Sequence, residues 1–197
     1  MVNCPVCHRS TDRDTWTLRP VPCTERCKRE MAVRKLVPRL YRESDPEKIK
    51  SRESYSKALS WEYGPKGLYL VGKSRTGKSR ALYGVVMRCI RAGMKVDGFR
   101  PGEFVQRMMD CMALEYNPGG LVERLGKKDL VFIDDFGKDT LTEAQQLAYF
   151  NMLERRIGAG KPTLFASNVR SRELKDRTPE GFVERIVEFC EVVDFDK

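Results

Sequence analysis

The sequence predicts an α/β fold, a parallel sheet held between helical layers. Two phosphate-handling motifs and the alternation around them carry that prediction. The first motif is LYLVGKSRTGKSR, Leu68–Arg80, in which Gly72-Lys-Ser-Arg-Thr-Gly77-Lys78-Ser79 matches G-x-x-x-x-G-K-[ST] at every fixed position. The second is KKDLVFIDDFGKD, an apolar run from Leu130 to Ile133 that ends in Asp134 and Asp135. Strand-like and helical segments alternate from 66 to 197. That order implies a parallel sheet with its ligand at the carboxyl edge of the strands.

The first motif has the context a phosphate cradle needs. Leu68–Val71 reads as a short buried strand. After the loop, Ala81, Leu82, Val85, Val86, Cys89 and Ile90 recur at helical spacing and mark one buried face. Gly72 and Gly77 let the backbone wrap phosphates, and the N–H groups of Lys73, Ser74, Arg75 and Thr76 line the wrap. The helix N-terminus adds partial positive charge. Lys78 is expected to reach the β- and γ-phosphates, and Ser79 to ligate Mg²⁺. Lys73 and Arg75 are bulky for such a loop, and their side chains are expected to face solvent. A chance glycine turn is the bland alternative, and the flanking strand and helix argue against it.

The second motif supplies the partner. An apolar strand that delivers a carboxylate to its tip is a Walker-B arrangement. Asp134 is expected to hold Mg²⁺ through water, and Asp135 to polarise the attacking water. Adjacent strand residues point to opposite faces, so the two have different roles unless the strand ends between them.

Thr142–Gly160 reads as a helix closed by Gly158 or Gly160. Thr163–Ser167 is a further buried strand, and Asn168 at its tip suits a sensor of the γ-phosphate. Arg185 lies on a short helix before a last strand, Val192–Phe195. It is either a sensor of a neighbour's nucleotide or an ordinary surface salt bridge.

Seven cysteines fall in two groups. Cys89, Cys111 and Cys190 are isolated in apolar context and read as small core residues. The other four form CPVC (Cys4, Cys7) and CTERC (Cys23, Cys27), close to the two-knuckle pattern of a closed tetrahedral zinc site. The segment STDRDTWTLRPVP between the pairs suits a hairpin. Disulfides are the alternative, and a cytosolic compartment argues against them. His8, the sole histidine, stands beside Cys7 and is a possible substitute ligand. A closed site is structural rather than catalytic.

Charge is uneven. The chain of 197 residues carries a net +9; residues 1–60 hold 14 basic and 8 acidic side chains, and residues 61–197 hold 23 and 20. The N-terminal third is thus the expected surface for phosphate backbones, against the bland reading of a solvated basic face. No apolar run approaches the roughly 20 residues of a bilayer span, and MVNCPVCHRS lacks an apolar leader core, so a cytoplasmic protein is expected. The expected organisation is a zinc-binding module at 1–30, a basic helical linker at 31–59 and a nucleotide domain at 60–197.

Together, GLYLVGKSRTGKSR, DLVFIDDFG, LERRIGAGKPTLFASN and ERIVEFCEVVDF resemble the AAA+ ATPases of the DnaC/IstB type, helicase loaders and transposition helpers. VPRLYRESD resembles the lead-in before their nucleotide domain. The resemblance covers about residues 37–195. It implies an AAA+ (ASCE) P-loop domain with a five-stranded parallel sheet in the order 5-1-4-3-2. It also implies ATP hydrolysis with Lys78, Ser79, Asp134, Asp135 and Asn168 in their motif roles. Arg185 is placed as a finger acting in trans, which implies self-assembly. The implied partners are DNA, single-stranded in a loader, and a replicative helicase, gripped with ATP bound and released on hydrolysis. The sequence ends soon after the last strand, without the helical lid and second sensor arginine usual in the family. Weak turnover, stimulated by DNA or assembly, is therefore expected.

Three other readings use the same residues: a transposition helper on duplex DNA, a zinc-dependent binding module with an inactive nucleotide domain, and a small-molecule kinase. The last needs a lid, for which RPGEFVQRMMDCMALEYNPGGLVERL, with a turn at Asn117–Gly120, is the available segment. Met108, Met109 and Met112 read as core or a partner groove.

Overall fold

The computed structural model describes residues 2–4, 6–8, 10–11, 24–42, 49–113, 119–138, 142–174, 178 and 181–196. A small antiparallel pair, β1 (Val2–Asn3) and β2 (Ser10–Thr11), comes first. Three helices follow: α1 (Glu25–Leu36), α2 (Arg39–Arg42) and α3 (Arg52–Leu59). The remaining elements alternate: β3 (Gly67–Val71), α4 (Lys78–Arg91), β4 (Val96–Phe99), α5 (Pro101–Ala113), α6 (Gly119–Lys127), β5 (Leu130–Phe136), α7 (Glu143–Gly158), β6 (Thr163–Ser167), α8 (Ser171–Leu174), α9 (Phe182–Phe189) and β7 (Cys190–Asp194).

The five long strands make one sheet in the order β4-β5-β6-β3-β7, and every pairing is parallel. Numbered from β3 as the first, this is the expected 5-1-4-3-2. The last strand begins at Cys190, two residues before the expected Val192.

Strand periodicity feeds two cores. Tyr69, Val131, Ile133 and Phe165 point to the layer of α5, α6, α7 and α9. Their neighbours Leu68, Leu70, Phe132 and Leu164 point to the layer of α4. Side chains that alternate along a strand and are buried on both faces define a sheet covered on both sides. Truncating Phe165, which has no exposed surface, removes about 3–5 kcal/mol. The α5–α6 segment considered as a kinase lid contributes Phe104, Met108, Leu121 and Leu125 to this core, whereas Met109 is exposed. Residues 114–118 between them, with Asn117 and Pro118 of the expected turn, lie outside the described residues.

Helices α1 and α3 lie against α4. The Ser51 and Ser54 hydroxyls donate to the carbonyls of Phe195 and Asp194, each at 2.6 Å. Glu30 accepts two bonds from Arg91, at 2.7 and 3.2 Å. Thus α1 and α3 are seated on the α4 layer and the end of the sheet.

Among the described residues, Arg156 is the largest side chain without exposed surface. It has no acidic partner among the described residues. Its guanidinium instead donates to the carbonyls of Leu125, Lys128, Asp129 and Pro162 and to Thr163 Oγ1, stapling α7 to the turns before β5 and β6. Burial pulls its pKa down to about 10.

Candidate nucleotide-binding site

β3 is buried along its whole length and delivers the chain to Gly72 at the carboxyl edge of the sheet. Two glycines then take backbone angles that other residues avoid, Gly72 at φ 148° and Gly77 at φ 110°. A Cβ on Gly72 would also sit 3.0 Å from Asp196 Oδ1. Arg75 adopts φ 65° within the same loop. α4 begins at Lys78, so its first amides face the loop. Lys73 and Arg75 are exposed, as expected, and Arg75 borders the cavity.

That cavity, about 410 Å³, opens over the loop. Lys78, Ser79, Asp134, Asp135 and Asn168 all line it. The two motifs therefore converge. Ser79 Oγ donates to Asp134 Oδ1 at 2.8 Å. The Lys78 ammonium lies over the loop and donates to the Lys73 carbonyl at 2.6 Å. Burial lowers the Lys78 pKa, opposed by the charges of Asp196, Asp135 and Asp134.

Asp134 is almost fully buried, at 1% exposure. Its Oδ1 accepts from Ser79 and from the Asp135 amide; its Oδ2 has no hydrogen-bond partner among the described residues. Burial raises its pKa and the Asp135 charge adds to this, while Ser79, Arg100 and the Asp135 amide pull the other way. A buried carboxylate with one oxygen tied to a serine hydroxyl and the other without a hydrogen bond fits a hard cation such as Mg²⁺.

Asp135 does not turn to the far face. The register between β5 and β6 breaks between Ile133 and Phe136, and Asp135 sits at φ 59°. This irregularity cancels the strand alternation and brings both carboxylates to one cavity. Asn168 follows β6, whose end is fixed by Ser167 Oγ donating to the Phe136 carbonyl at 2.6 Å. Arg185 lies elsewhere, on α9, donating to Glu154 Oε1 at 2.6 Å.

Several residues escaped sequence reasoning. Arg100, at the carboxyl end of β4, lies 3.8 Å from both Asp134 Oδ2 and Asp135 Oδ2. Asp196 accepts from the Lys73 amide at 2.7 Å and pairs with Arg170, which also holds Asp194. The signal was available: each follows a strand of the parallel sheet, at its ligand-facing edge. Leu40, Tyr41 and Ile49 form the apolar rim of the cavity, with Tyr41 stacked on Tyr83 at 4.8 Å.

The cysteines form a second cluster. The Sγ atoms of Cys4, Cys7 and Cys27 lie within 4.8 Å of one another. Cys4 and Cys7 sit in the bend between β1 and β2, and Cys27 in the first turn of α1, where its amide donates to the N-cap Thr24. Tetrahedral Zn–S bonds near 2.3 Å set sulfurs about 3.8 Å apart, so the three thiols fit such an ion with modest contraction. Ser10 and Thr11 of the expected hairpin form β2, whereas its residues 12–22 and Cys23 lie outside the described residues. His8 is exposed, at φ 60° beside Cys7.

No protein-family model and no curated protein sequence matches the chain. Solved structures do. AMPPCP-bound DnaA from Aquifex aeolicus aligns at a TM-score of 0.63 with 19% identity, over 73% of this chain and 44% of that one. The chain thus spans less than half the length of that DnaA. DnaI aligns at 0.60 with 17% identity, over 81% and 91%. The DnaC helicase loader aligns at 0.58 with 18% identity, over 87% and 90%. The chain accordingly shares the α/β fold of these structures, a five-stranded parallel sheet covered by helices on both faces.

Proposed function

We propose that the protein is an ATPase of DNA replication, a helicase loader that binds single-stranded DNA and a replicative helicase while ATP is bound and lets them go on hydrolysis. The observation that carries the ATPase part is the Ser79–Asp134 bond at 2.8 Å beside Lys78. Structural likeness to DnaI and the DnaC helicase loader supports the replication part.

In this reading Lys78 turns from the Lys73 carbonyl to the β- and γ-phosphates. The loop amides from Gly72 to Ser79 hold the remaining phosphate oxygens. Tyr41, Leu40 and Ile49 seat the base. Ser79 and Asp134 would hold Mg²⁺, which would supply positive charge beside the phosphates. Asp135 accepts a proton from the attacking water at its carboxylate, and Asn168 orients that water against the γ-phosphate. Arg185 leaves Glu154 to reach a neighbouring subunit's nucleotide, which ties turnover to assembly. Cys4, Cys7, Cys23 and Cys27 hold Zn²⁺ and fold the N-terminal residues 1–30 as a structural module. Residues 31–59 join that module to the nucleotide domain at 60–197, in a cytoplasmic protein.

The test is steady-state ATP hydrolysis with and without single-stranded DNA, with capture of a hexameric helicase alongside. Slow basal turnover that rises with single-stranded DNA, and retention of the helicase with ATP, is the expected result. Fast turnover by an isolated monomer, indifferent to DNA, would overturn the loader reading. Capture of a transposase in place of the helicase would mark the transposition helper.

A further inference from the structure

Three neighbouring strands, β6, β3 and β7, end at the edge of the sheet that carries the phosphate loop, and their tips are tied to one another. Phe195 extends the pairing of β7 with β3, its amide donating to the Val71 carbonyl at 2.7 Å. Asp196, the next residue, reaches over the entry of the loop. Its Oδ1 accepts from the Lys73 amide at 2.7 Å. Gly72 leaves room for that approach, since a Cβ there would lie 3.0 Å from the same oxygen.

The other oxygen of Asp196 is held as well. Arg170 donates to Asp196 Oδ2 at 3.0 Å and to Asp194 Oδ2 at 2.9 Å. Asp194 Oδ1 in turn accepts from the Asp196 amide at 2.9 Å. Arg170 stands two residues after Asn168. Val169, between them, is pinned at both backbone groups. Its amide donates to Ser167 Oγ at 2.9 Å, and its carbonyl accepts from the Tyr69 hydroxyl at 2.5 Å. The result is a closed circuit, from Lys73 through Asp196, Arg170 and Val169 to Tyr69 on β3, four residues before Lys73.

Asp196 also brings charge to the phosphate site. Burial lowers the Lys78 pKa, and of the charges that oppose it that of Asp196 acts most strongly, ahead of Asp135 and Asp134. A carboxylate so placed repels a triphosphate. For affinity alone a neutral side chain would serve better. What the carboxylate supplies is a strong acceptor: a hydrogen bond to an ionised group is roughly twice as strong as a neutral one. Spent on the Lys73 amide, it fixes the entry of the loop, and donors fixed in advance need no reorganisation when their ligand arrives.

We infer that Asp196, braced by Arg170, is a positioning residue of the phosphate site: through the Lys73 amide it fixes the entry of the loop, and through Arg170 it sets the spacing between the loop and Asn168. The inference rests on the ATPase reading and deepens it. The loop that cradles the phosphates and the strand tip that carries Asn168 are joined by side chains, so both are in place before nucleotide enters.

The experiment uses the full chain and compares Asp196→Asn with Asp196→Ala. Both remove the charge, and only Asn keeps an oxygen for the Lys73 amide, so their ratio isolates the hydrogen bond. In calorimetric titration with magnesium-ATP, Asp196→Asn is expected to bind on the order of tenfold more tightly than Asp196→Ala. Hydrogen exchange supplies a readout without nucleotide. The Lys73 amide is expected to be protected in the wild type and in Asp196→Asn, and to exchange about tenfold faster in Asp196→Ala while the β3 amides stay protected. Arg170→Gln is expected to lower turnover more than ATP affinity, because it loosens the Asn168 segment while Asp196 still holds the amide. Equal ATP affinity in the two Asp196 variants would overturn the inference. So would a Lys73 amide that exchanges as fast in the wild type as in Asp196→Ala, or wild-type turnover in Arg170→Gln. Failure of the wild-type chain to take up magnesium-ATP, with the exchange pattern as expected, would instead remove the ATPase reading and the positioning role with it.

Discussion

Ser79 Oγ and Asp134 Oδ1 meet at 2.8 Å, joining residues 55 positions apart in the chain. The bond holds the start of α4 against the end of β5. It is the point at which a phosphate loop and an acidic strand tip become one site. If both groups serve magnesium, Ser79→Ala should weaken magnesium-ATP binding about ten- to a hundredfold, the cost of one hydrogen bond to a charged group. Binding of ATP in excess chelator should scarcely change. Equal losses with and without magnesium in a nucleotide titration would count against the role.

Asp134 carries a stability cost. Burial raises its pKa above the ordinary 3.8. A carboxyl whose folded pKa is raised holds its proton more tightly in the fold, so ionising it costs stability at neutral pH. The cost vanishes as pH falls below 3.8, where both states are protonated. Without magnesium, Asp134→Asn should therefore melt above the wild type at pH 7, and the gap should close toward pH 3.8. An Asn variant that melts lower at pH 7 would show that the charge is already compensated in the fold.

Lys78 and Asp135 should separate binding from chemistry. Lys78→Ala removes a cation that holds the phosphates in the ground state and more strongly as charge develops in the transition state, so ATP binding and hydrolysis should both fall, turnover on the order of 100-fold. Asp135→Asn should keep ATP binding within a few fold and lower turnover about 10²–10⁴-fold, the range for a lost general base. Comparable loss of binding in both variants would place Asp135 among the binding groups.

Arg156 should be the most sensitive residue far from the site. Its guanidinium satisfies four carbonyls. Arg156→Met removes a donor from all four, and only the Leu125 and Asp129 carbonyls keep a second one, in the Lys128 amide and the Tyr63 hydroxyl; the change should cost about 3–5 kcal/mol in denaturant unfolding. A cost under about 1 kcal/mol would mean that solvent replaces the guanidinium there.

The cysteine cluster should yield one zinc per chain by elemental analysis. Cys4→Ser and Cys27→Ser, at the two buried positions, should abolish that zinc and lower the melting temperature. Retention of full zinc by both variants would place the ion elsewhere.

The candidate nucleotide site was legible because its signals are local and periodic. The glycine spacing of 72–77 and the apolar run before Asp134 each lie within a dozen residues. The alternation of strands and helices then brings both to one sheet edge. Other features depend on tertiary placement that no spacing encodes. Arg100 reaches the carboxylates only because β4 is the sheet neighbour of β5. Asp196 reaches the Lys73 amide only because β7 pairs with β3. The alternation rule misplaced Asp135 because a bulge, not the strand repeat, sets its direction. No spacing in the sequence singles out Arg156 on its helix, and only the turns before β5 and β6 make it a carbonyl hub.

The most direct measurement is calorimetric titration of the full chain with ATP, with and without magnesium. The convergence of Lys78, Ser79 and Asp134 predicts one ATP per chain in the presence of magnesium, a clear loss of affinity in its absence, and no uptake by Lys78→Ala. Heats equal to dilution for the wild-type chain, or identical binding by Lys78→Ala, would contradict it.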